Sequence, residues 1–520
     1  MTAGYLLDAI GFSINAPILA MTAVAAAAAA LASTRRHPEP RHRAASVLLA
    51  LVVAGVFAYA MWLASPAFLP VTNGPDVVHH LQLIHVIART WRLPHDPATG
   101  PFLLEMRGYT PGSHMLAAAI GAWLRVDPLR VVYPLAALFV ALKAGLLYEL
   151  TRRLIDGDRG SWLALAAPLL VFVPATYFVG ALVGFFYYAQ VISETFAVGV
   201  LLFALSFAQH GRSRDLVFAS AAALGVVLSW PVWIGPCAMA IAGALACRPL
   251  PWRTRGVALV TVLLPAAALV ALHRWRNPVY GGIVAAPGAI DAPSWTALGP
   301  AFVLLAIGGA AVALRSQGGR VLVVFLAASL AQCAALVLVA ARAGTGSYYM
   351  AFKMVYLAVV PAAALAALAL AWTAGWLAAR VPRSRAVTAW LPLVVAALLV
   401  RGRVTVRPVH GSLSLDANEV GQWAREHVPP ACVDYFSRYW LTGYWLHLDV
   451  LGNPRESERM SHESFELADA NAKWIEGRGL PYAIVEDLPS IPRDVRVDMV
   501  PVYRSGPFVL VSNRRPAACR

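Results

Sequence analysis

Charge is what this sequence has least of. Only 13% of its 520 residues are Asp, Glu, Lys or Arg, against 59% hydrophobic residues. Soluble domains carry roughly 25% charged and 45–50% apolar residues. With a mean hydropathy of +0.64, the scarcity excludes a soluble enzyme with one anchor and implies a polytopic membrane protein. Acids are scarcer still, 27 against 42 Lys and Arg, for a formal net charge of +15. The excess arginines sit in short loops between apolar runs, as cytoplasmic loops do. They form no basic face with interleaved aromatics, which excludes nucleic acid as a partner. Cysteine is also rare. The five form no CxxC pair, which argues against a metal or redox cluster. Cys237, Cys247 and Cys333 lie in apolar runs. Cys432 and Cys519 share a polar tail, where a disulfide and two free thiols remain equally open. There is no GxGxxG, no P-loop and no internal repeat, so a nucleotide-driven motor is unsupported. No positive segment precedes the first apolar run, which reads as a retained span rather than a signal peptide.

The apolar runs place about twelve transmembrane helices: 5–32, 45–66, 130–150, 161–184, 187–209, 215–233, 235–247, 256–273, 299–315, 320–342, 351–375 and 386–401. The basic loop at 35–43 should face the cytoplasm, which puts both chain ends and residues 73–114 outside. Residues 114–126 are apolar but short. If they spanned, Arg152, Arg153 and Arg159 would emerge outside, so they read as an interfacial or re-entrant helix. Pro231 and Pro236 imply a broken helix at the outer face. The loop with Arg274, Arg276, Pro278, Tyr280, Gly281 and Gly282 is the most basic outer segment between spans. The expected fold class is an α-helical polytopic membrane protein with a small α/β C-terminal extracytoplasmic domain. Its membrane domain would be 1–401, with an outer loop at 67–129, and its tail domain 402–520. In the tail, Asp416 and Glu419 resemble a capping box opening a helix that carries Val420 and Trp423. Residues 481–485 and 499–512 read as strands, the second broken by a turn at Ser505-Gly506-Pro507.

The polar segment 73–114 interrupts this apolar chain with the densest chemistry in its first half. Asp76 follows the Gly74-Pro75 turn at the start of an amphipathic helix. His79 and His80 follow at i+3 and i+4, on the same face. Val77, Leu81, Ile84 and Ala88 make an apolar stripe suited to lying on the bilayer. A carboxylate at that boundary could serve as a general base; the competing reading is a plain N-cap. Asp76, His79 and His80, with Glu105, could hold a divalent metal (Mg, Mn or Zn); the competing reading is histidines solvating a helix face. Glu194 is an ionisable residue within a span and so a functional candidate by default; the alternative is a structural bond to a neighbouring helix. Near residue 350, Arg342, Tyr348, Tyr349 and Lys353 sit at an outer helix boundary. There Lys353 could neutralise a lipid phosphate with help from Arg342 and the tyrosine hydroxyls, or snorkel to the headgroups. Arg276 could serve the same anion from another loop.

Tyr109-Thr110-Pro111-Gly112-Ser113-His114 resembles the Tyr-Pro-Pro-Gly-x-His segment of some bacterial GT-C glycosyltransferases, with Thr110 replacing the first proline. Asp76 matches the acidic position of their first outer loop. Ser347-Tyr348-Tyr349-x-x-x-Lys353-x-x-Tyr356 is similar to a late-loop pattern in others. The chain thus resembles the GT-C superfamily of polyprenyl-phosphate-sugar glycosyltransferases, among them protein O-mannosyltransferases, lipid A aminoarabinose transferases and arabinofuranosyltransferases. No Asp-Glu pair follows Asp76, and an extra helix precedes the usual first span, so the subfamily and its sugar stay open. The resemblance implies a GT-C fold and transfer of a monosaccharide from a polyprenyl-phosphate donor to a lipid, glycan or protein acceptor. The enzyme would be a hexosyl- or pentosyltransferase, inverting, working at the outer face of a bacterial cytoplasmic membrane. Asp76, Glu105 and Glu194 would be the acids. Lys353, Arg342, Arg276, Tyr348 and Tyr349 would hold the donor phosphate, and His79, His80, Tyr109 and His114 the substrate. The alternatives are an O-antigen-type glycan polymerase or ligase, and a lipid-linked sugar transporter or flippase.

Overall fold

The computed structural model describes the chain except residues 37–42, 73, 95–99, 156–159, 278–287, 289, 291, 345–346, 382–384, 406, 456–459, 461–464 and 520. Asn73, Arg159, Pro278, Tyr280, Gly281, Gly282, Arg383 and most of the basic loop at 35–43 therefore lie outside the described residues.

Among the described residues, six helices are long and apolar enough to cross a membrane: Arg43–Leu63, Pro128–Arg152, Tyr188–His210, Trp252–Arg276, Gln317–Ala343 and Tyr349–Arg380. Others are apolar but shorter. Pro300–Ala313, with 14 residues, rises about 21 Å against a hydrocarbon core of about 30 Å. Three expected spans are not continuous helices, one of them 215–233, which breaks at Trp230 between Ser213–Ser229 and Pro231–Trp233. Residues 5–32 divide into Thr2–Ala9 and Ala16–Arg36, because Gly11 turns the chain at φ +86° and the Asn15 side chain accepts from the Ile18 amide. Residues 161–184 divide into Gly160–Leu163, Ala166–Leu170, Ala175–Tyr177 and Val179–Val183. Pro174, at one of the breaks, supplies no backbone N–H.

The spans differ in what covers them. The apolar windows of Tyr188–His210 and Tyr349–Arg380 are 89% and 94% buried, whereas those of Arg43–Leu63 and Gln317–Ala343 are 17% and 22% buried. The first pair forms the inside of the bundle. The second presents apolar surface outward, which suits lipid. Gly112–Leu124, the short apolar run after the polar segment, is a 13-residue helix that rises only about 20 Å.

The tail carries a four-stranded sheet: β1 (Val433–Phe436), β2 (Tyr482–Glu486), β3 (Met499–Ser505) and β4 (Phe508–Asn513). The order is β1-β2-β4-β3, with β1 parallel to β2 and the other pairs antiparallel. The expected strands are present, with the turn at Gly506. The helix expected to open at Asp416 is capped two residues earlier, where Ser414 accepts from the Ala417 amide. Asp416 and Glu419 instead accept from Ser505, and Glu419 also from Tyr503, fastening helix to sheet. Cys432 and Cys519 form a disulfide with a Cα–Cα separation of 5.4 Å.

The tail is packed onto the segment that follows the helix Arg43–Leu63. Val409 donates its amide to the Leu63 carbonyl, Ser412 its hydroxyl to Thr72, and Thr442 its hydroxyl to Ser412. Ile84, Leu446 and Val450 belong to one continuous buried cluster. The apolar face of the Asp76 helix is therefore covered by protein. Val77, Leu81 and Ile84 are each 0% exposed, which corrects the expectation that this stripe lies on the bilayer.

Candidate functional site

Asp76 occupies the first position of the helix Asp76–Thr90, after Pro75, and that helix has no side-chain cap bond. The carboxylate is thus not spent as an N-cap, though the helix N-terminus still favours its charge. It faces His80, whose Nε2 lies 3.5 Å from Oδ2. An ionised carboxylate only accepts, so this Nε2 carries a proton. On the other side of the ring, His80 Nδ1 is 2.8 Å from His114 Nε2, and the two nitrogens share one proton. Both histidines are buried.

Each position of the Tyr-Thr-Pro-Gly-Ser-His segment serves this pair. The Tyr109 ring meets both imidazoles edge-on and lies against Trp230. Thr110 donates to the Ser229 carbonyl. Pro111 caps the helix Gly112–Leu124. Gly112 lies so close to Leu228 that an added Cβ would stand 2.8 Å from its carbonyl oxygen. The Ser113 carbonyl accepts from the Tyr188 hydroxyl.

His79 turns the other way. Its Nδ1 donates to Glu105 at 3.1 Å, so its Nε2 accepts from the Tyr444 hydroxyl at 2.7 Å. Glu105 is also ion-paired with Arg455, which is buried in the tail. Asp76, His79 and His80 therefore do not converge. Among the described residues no group of three or more His, Cys, Asp or Glu side chains is placed to hold a metal ion. This donor set does not fit a divalent metal.

These partners set the protonation states. Burial alone would raise the Asp76 carboxyl, but the His80 bond and the charges of His80, Lys353 and His79 outweigh it and hold Asp76 at about 2. Burial likewise opposes, and the His79 and Arg455 contacts overcome, a shift that leaves Glu105 at about 2. Burial keeps His79 and His114 neutral to lower pH than an ordinary histidine; the Glu105 contact opposes this at His79, and the His80 charge adds to it at His114.

Lys353 lies one turn into the helix Tyr349–Arg380 and is only 3% exposed, so it does not snorkel. Its ammonium sits in an aromatic cage, 4.1 Å from the Tyr349 ring centre, 4.2 Å from Tyr187 and 4.8 Å from Trp230. No carboxylate is ion-paired with it among the described residues. Its charge still reaches Asp76. Asp76, the two buried histidines and a caged cation are thus brought to one place.

Other candidates make different contacts. Glu194 is ion-paired with Lys143 inside the bundle, and Lys143 also faces the Phe178 ring. Arg276 is held by Asp8 at 2.8 Å and by the Tyr5 ring. Arg342 is exposed at the end of its helix, and Tyr348, 39% exposed, lies against Phe352. Thr345 and Gly346, beside them, lie outside the described residues. Sequence reasoning missed Tyr187, Trp230, Tyr444, Arg455 and Lys143. Only Lys143 carried a clear signal, a cation in the middle of an apolar span.

No family model matches the chain, and no curated protein matches it. Solved structures do. The oligosaccharyltransferase AglB of Archaeoglobus fulgidus, in complex with an inhibitory peptide and a dolichol-phosphate, aligns over 84% of this chain and 69% of its own at 13% identity, TM-score 0.52. The mycobacterial arabinofuranosyltransferase AftD aligns over 91% of this chain and 40% of its own at 16% identity, TM-score 0.54. ArnT of Cupriavidus metallidurans bound to undecaprenyl phosphate aligns over 90% and 98% at 15% identity, TM-score 0.47. These are GT-C glycosyltransferases. The fold assignment rests on the first two: the chain has the GT-C fold.

Proposed function

We propose that this protein is an integral membrane glycosyltransferase. It would take a monosaccharide from a polyprenyl-phosphate carrier and pass it to a hydroxyl of a lipid, glycan or protein, with inversion. The observation that carries the reading is the juxtaposition of one ionised carboxylate, Asp76, with one buried cation, Lys353, which has no carboxylate partner among the described residues. An uncompensated charge is costly inside a protein, and a lipid phosphate would offset it. The acceptor O–H gives its proton to Asp76 as the oxygen attacks the anomeric carbon. The bond from that carbon to the phosphate oxygen breaks, and its electron pair leaves on the phosphate, facing Lys353. His80 and His114 hold the carboxylate in place. Glu105 acts through His79 as a positioning residue.

The outer face of a bacterial cytoplasmic membrane is the proposed location. The Cys432–Cys519 disulfide supports an oxidising compartment for the tail. The positive-inside pattern of the loops supports the same orientation.

The test is transfer of radiolabelled sugar from polyprenyl-phosphate donors by purified protein. Asp76→Asn should lower the rate by about 10²–10⁴ while still binding polyprenyl phosphate. Lys353→Gln should lose that binding. An Asp76→Asn protein that transfers at the parent rate removes Asp76 as the base.

A further inference from the structure

The helix Tyr188–His210 carries a polar side chain with no partner. Gln190 is 3% exposed, yet neither its amide nitrogen nor its amide oxygen has a hydrogen-bond partner among the described residues. Native structures rarely leave a buried amide bare, and hydrocarbon around the bundle offers no substitute. Also bare are the Trp230 indole N–H, the Ser229 hydroxyl and, one turn along the same helix, one carboxylate oxygen of Glu194.

Their placement gives the anomaly a meaning. Gln190 lies three residues after Tyr187, which precedes the helix, and three before Ser193, so Gln190 and Ser193 are neighbours one turn apart. Tyr187 is a wall of the Lys353 cage. Ser193 donates to the carbonyls of Val226 and Trp230. Gln190 thus sits in the first turn of this helix, between a cage wall and a residue bonded to the Trp230 carbonyl, at the break after Ser229 where the chain extends through Trp230 before Pro231. Trp230 is itself a cage wall. Within three residues of the cage walls the structure thus leaves bare one donor-and-acceptor amide, one N–H donor and one hydroxyl. An anion would be met by donors alone. A neighbouring amide acceptor suits a ligand that both donates and accepts, as vicinal sugar hydroxyls do.

We infer that Gln190 is a specificity-determining residue. With Trp230 and Ser229 it receives the hydroxyls of the donor's monosaccharide, below the phosphate on Lys353. This assignment rests on the proposed function and names the part of the site that reads the sugar rather than the lipid phosphate.

Gln190→Leu in the full-length protein separates this role from a packing role. A side chain bonded within the protein loses stability when truncated to an apolar isostere. A bare buried amide does the opposite, because the unsatisfied group is removed. Three quantities are measured on parent and variant. They are the apparent Tm of the ligand-free protein, binding of sugar-free polyprenyl phosphate, and kcat/KM across a panel of polyprenyl-phosphate hexoses and pentoses. The expected result is a higher Tm, unchanged polyprenyl phosphate binding, and a fall of about tenfold to a hundredfold in kcat/KM for the best sugar, corresponding to one or two lost hydrogen bonds. Discrimination among sugars should flatten. A lower Tm with all ligands equally weakened overturns the inference in favour of packing, as does a variant with the parent's sugar preference. A parent protein that binds none of these lipids overturns the functional reading itself, and this assignment with it.

Discussion

Glu105→Gln should harm the protein far more than Arg455→Gln, although both remove the same ion pair. The asymmetry follows from exposure. Arg455 keeps 2% of its side-chain surface and Glu105 keeps 44%. Taking away the carboxylate strands a guanidinium in the interior, and breaking a buried pair in that sense costs about 3–5 kcal/mol. Taking away the arginine leaves a half-exposed carboxylate that still accepts from His79. That loss belongs with exposed pairs, at about 1 kcal/mol or less. The double variant removes the stranded charge and should recover most of the stability lost in Glu105→Gln. The expected order of apparent Tm, followed by tryptophan fluorescence in nanodiscs, is parent, then Arg455→Gln together with the double variant, then Glu105→Gln well below. A second substitution that restores stability is the decisive sign, since additive damage would make the double variant the worst. If Arg455→Gln unfolds at or below Glu105→Gln, the burial argument fails, and a desolvated arginine is not what fastens the tail to Glu105.

Acid should loosen the same loop in two stages. His79 and His114 have folded pKa values below the ordinary one, so the unfolded chain binds more protons and stability falls as pH drops below about 6.5. Asp76 and Glu105, at about 2 in the fold, contribute stability that is full above the ordinary carboxylate range and is lost from about 4.5 down to about 2. Hydrogen exchange over residues 76–114, corrected for intrinsic rates, checks this; protection equal at pH 7.5 and pH 5 contradicts it. Gly112→Ala places a Cβ 2.7 Å from the Leu228 Cβ and 2.8 Å from its carbonyl oxygen. Backbone cannot turn aside as a flexible side chain can, so a cost of about 1–3 kcal/mol is expected, seen as a lower Tm and a lower transfer rate. An unchanged Tm would show that the two helices can part freely.

How much could be read beforehand depended on whether a signal was local. Asp76, His80, His114 and Lys353 stand out because polar groups are rare in so apolar a chain. The structure gathers them because they lie at ends of neighbouring helices. Arg455 and Tyr444 left no such trace. They meet Glu105 and His79 across about 350 residues, and nothing in a charged tail marks one arginine for burial. The Asp76 helix shows a second limit. Its apolar stripe was legible, but a stripe does not say whether lipid or protein covers it, and here protein does. Hydropathy failed at 161–184 for a different reason. It counts apolar side chains, whereas continuity of a helix depends on backbone donors, which Pro168 and Pro174 lack. Among the strands, β1 has four consecutive buried residues and so no alternation by which to recognise it.

One feature of the site at first counts against a catalytic carboxylate. A base held at about 2 is ionised at every physiological pH but takes a proton poorly. The influences that depress Asp76 are not alike, however. His80 is fixed by His114, and His79 by Glu105 and Tyr444, so both persist whatever is bound. The Lys353 charge is different, because an anion on the ammonium cancels its reach to the carboxylate. On the proposed function, arrival of the carrier phosphate at Lys353 would make Asp76 more basic just as the anomeric carbon comes within range. The empty site would then be a weak base and the donor-loaded site a stronger one, which orders the reaction with the donor first. On that reading the aromatic walls would serve the order: rings hold a cation without neutralising it, whereas a carboxylate partner for Lys353 would have cancelled the effect before any substrate arrived.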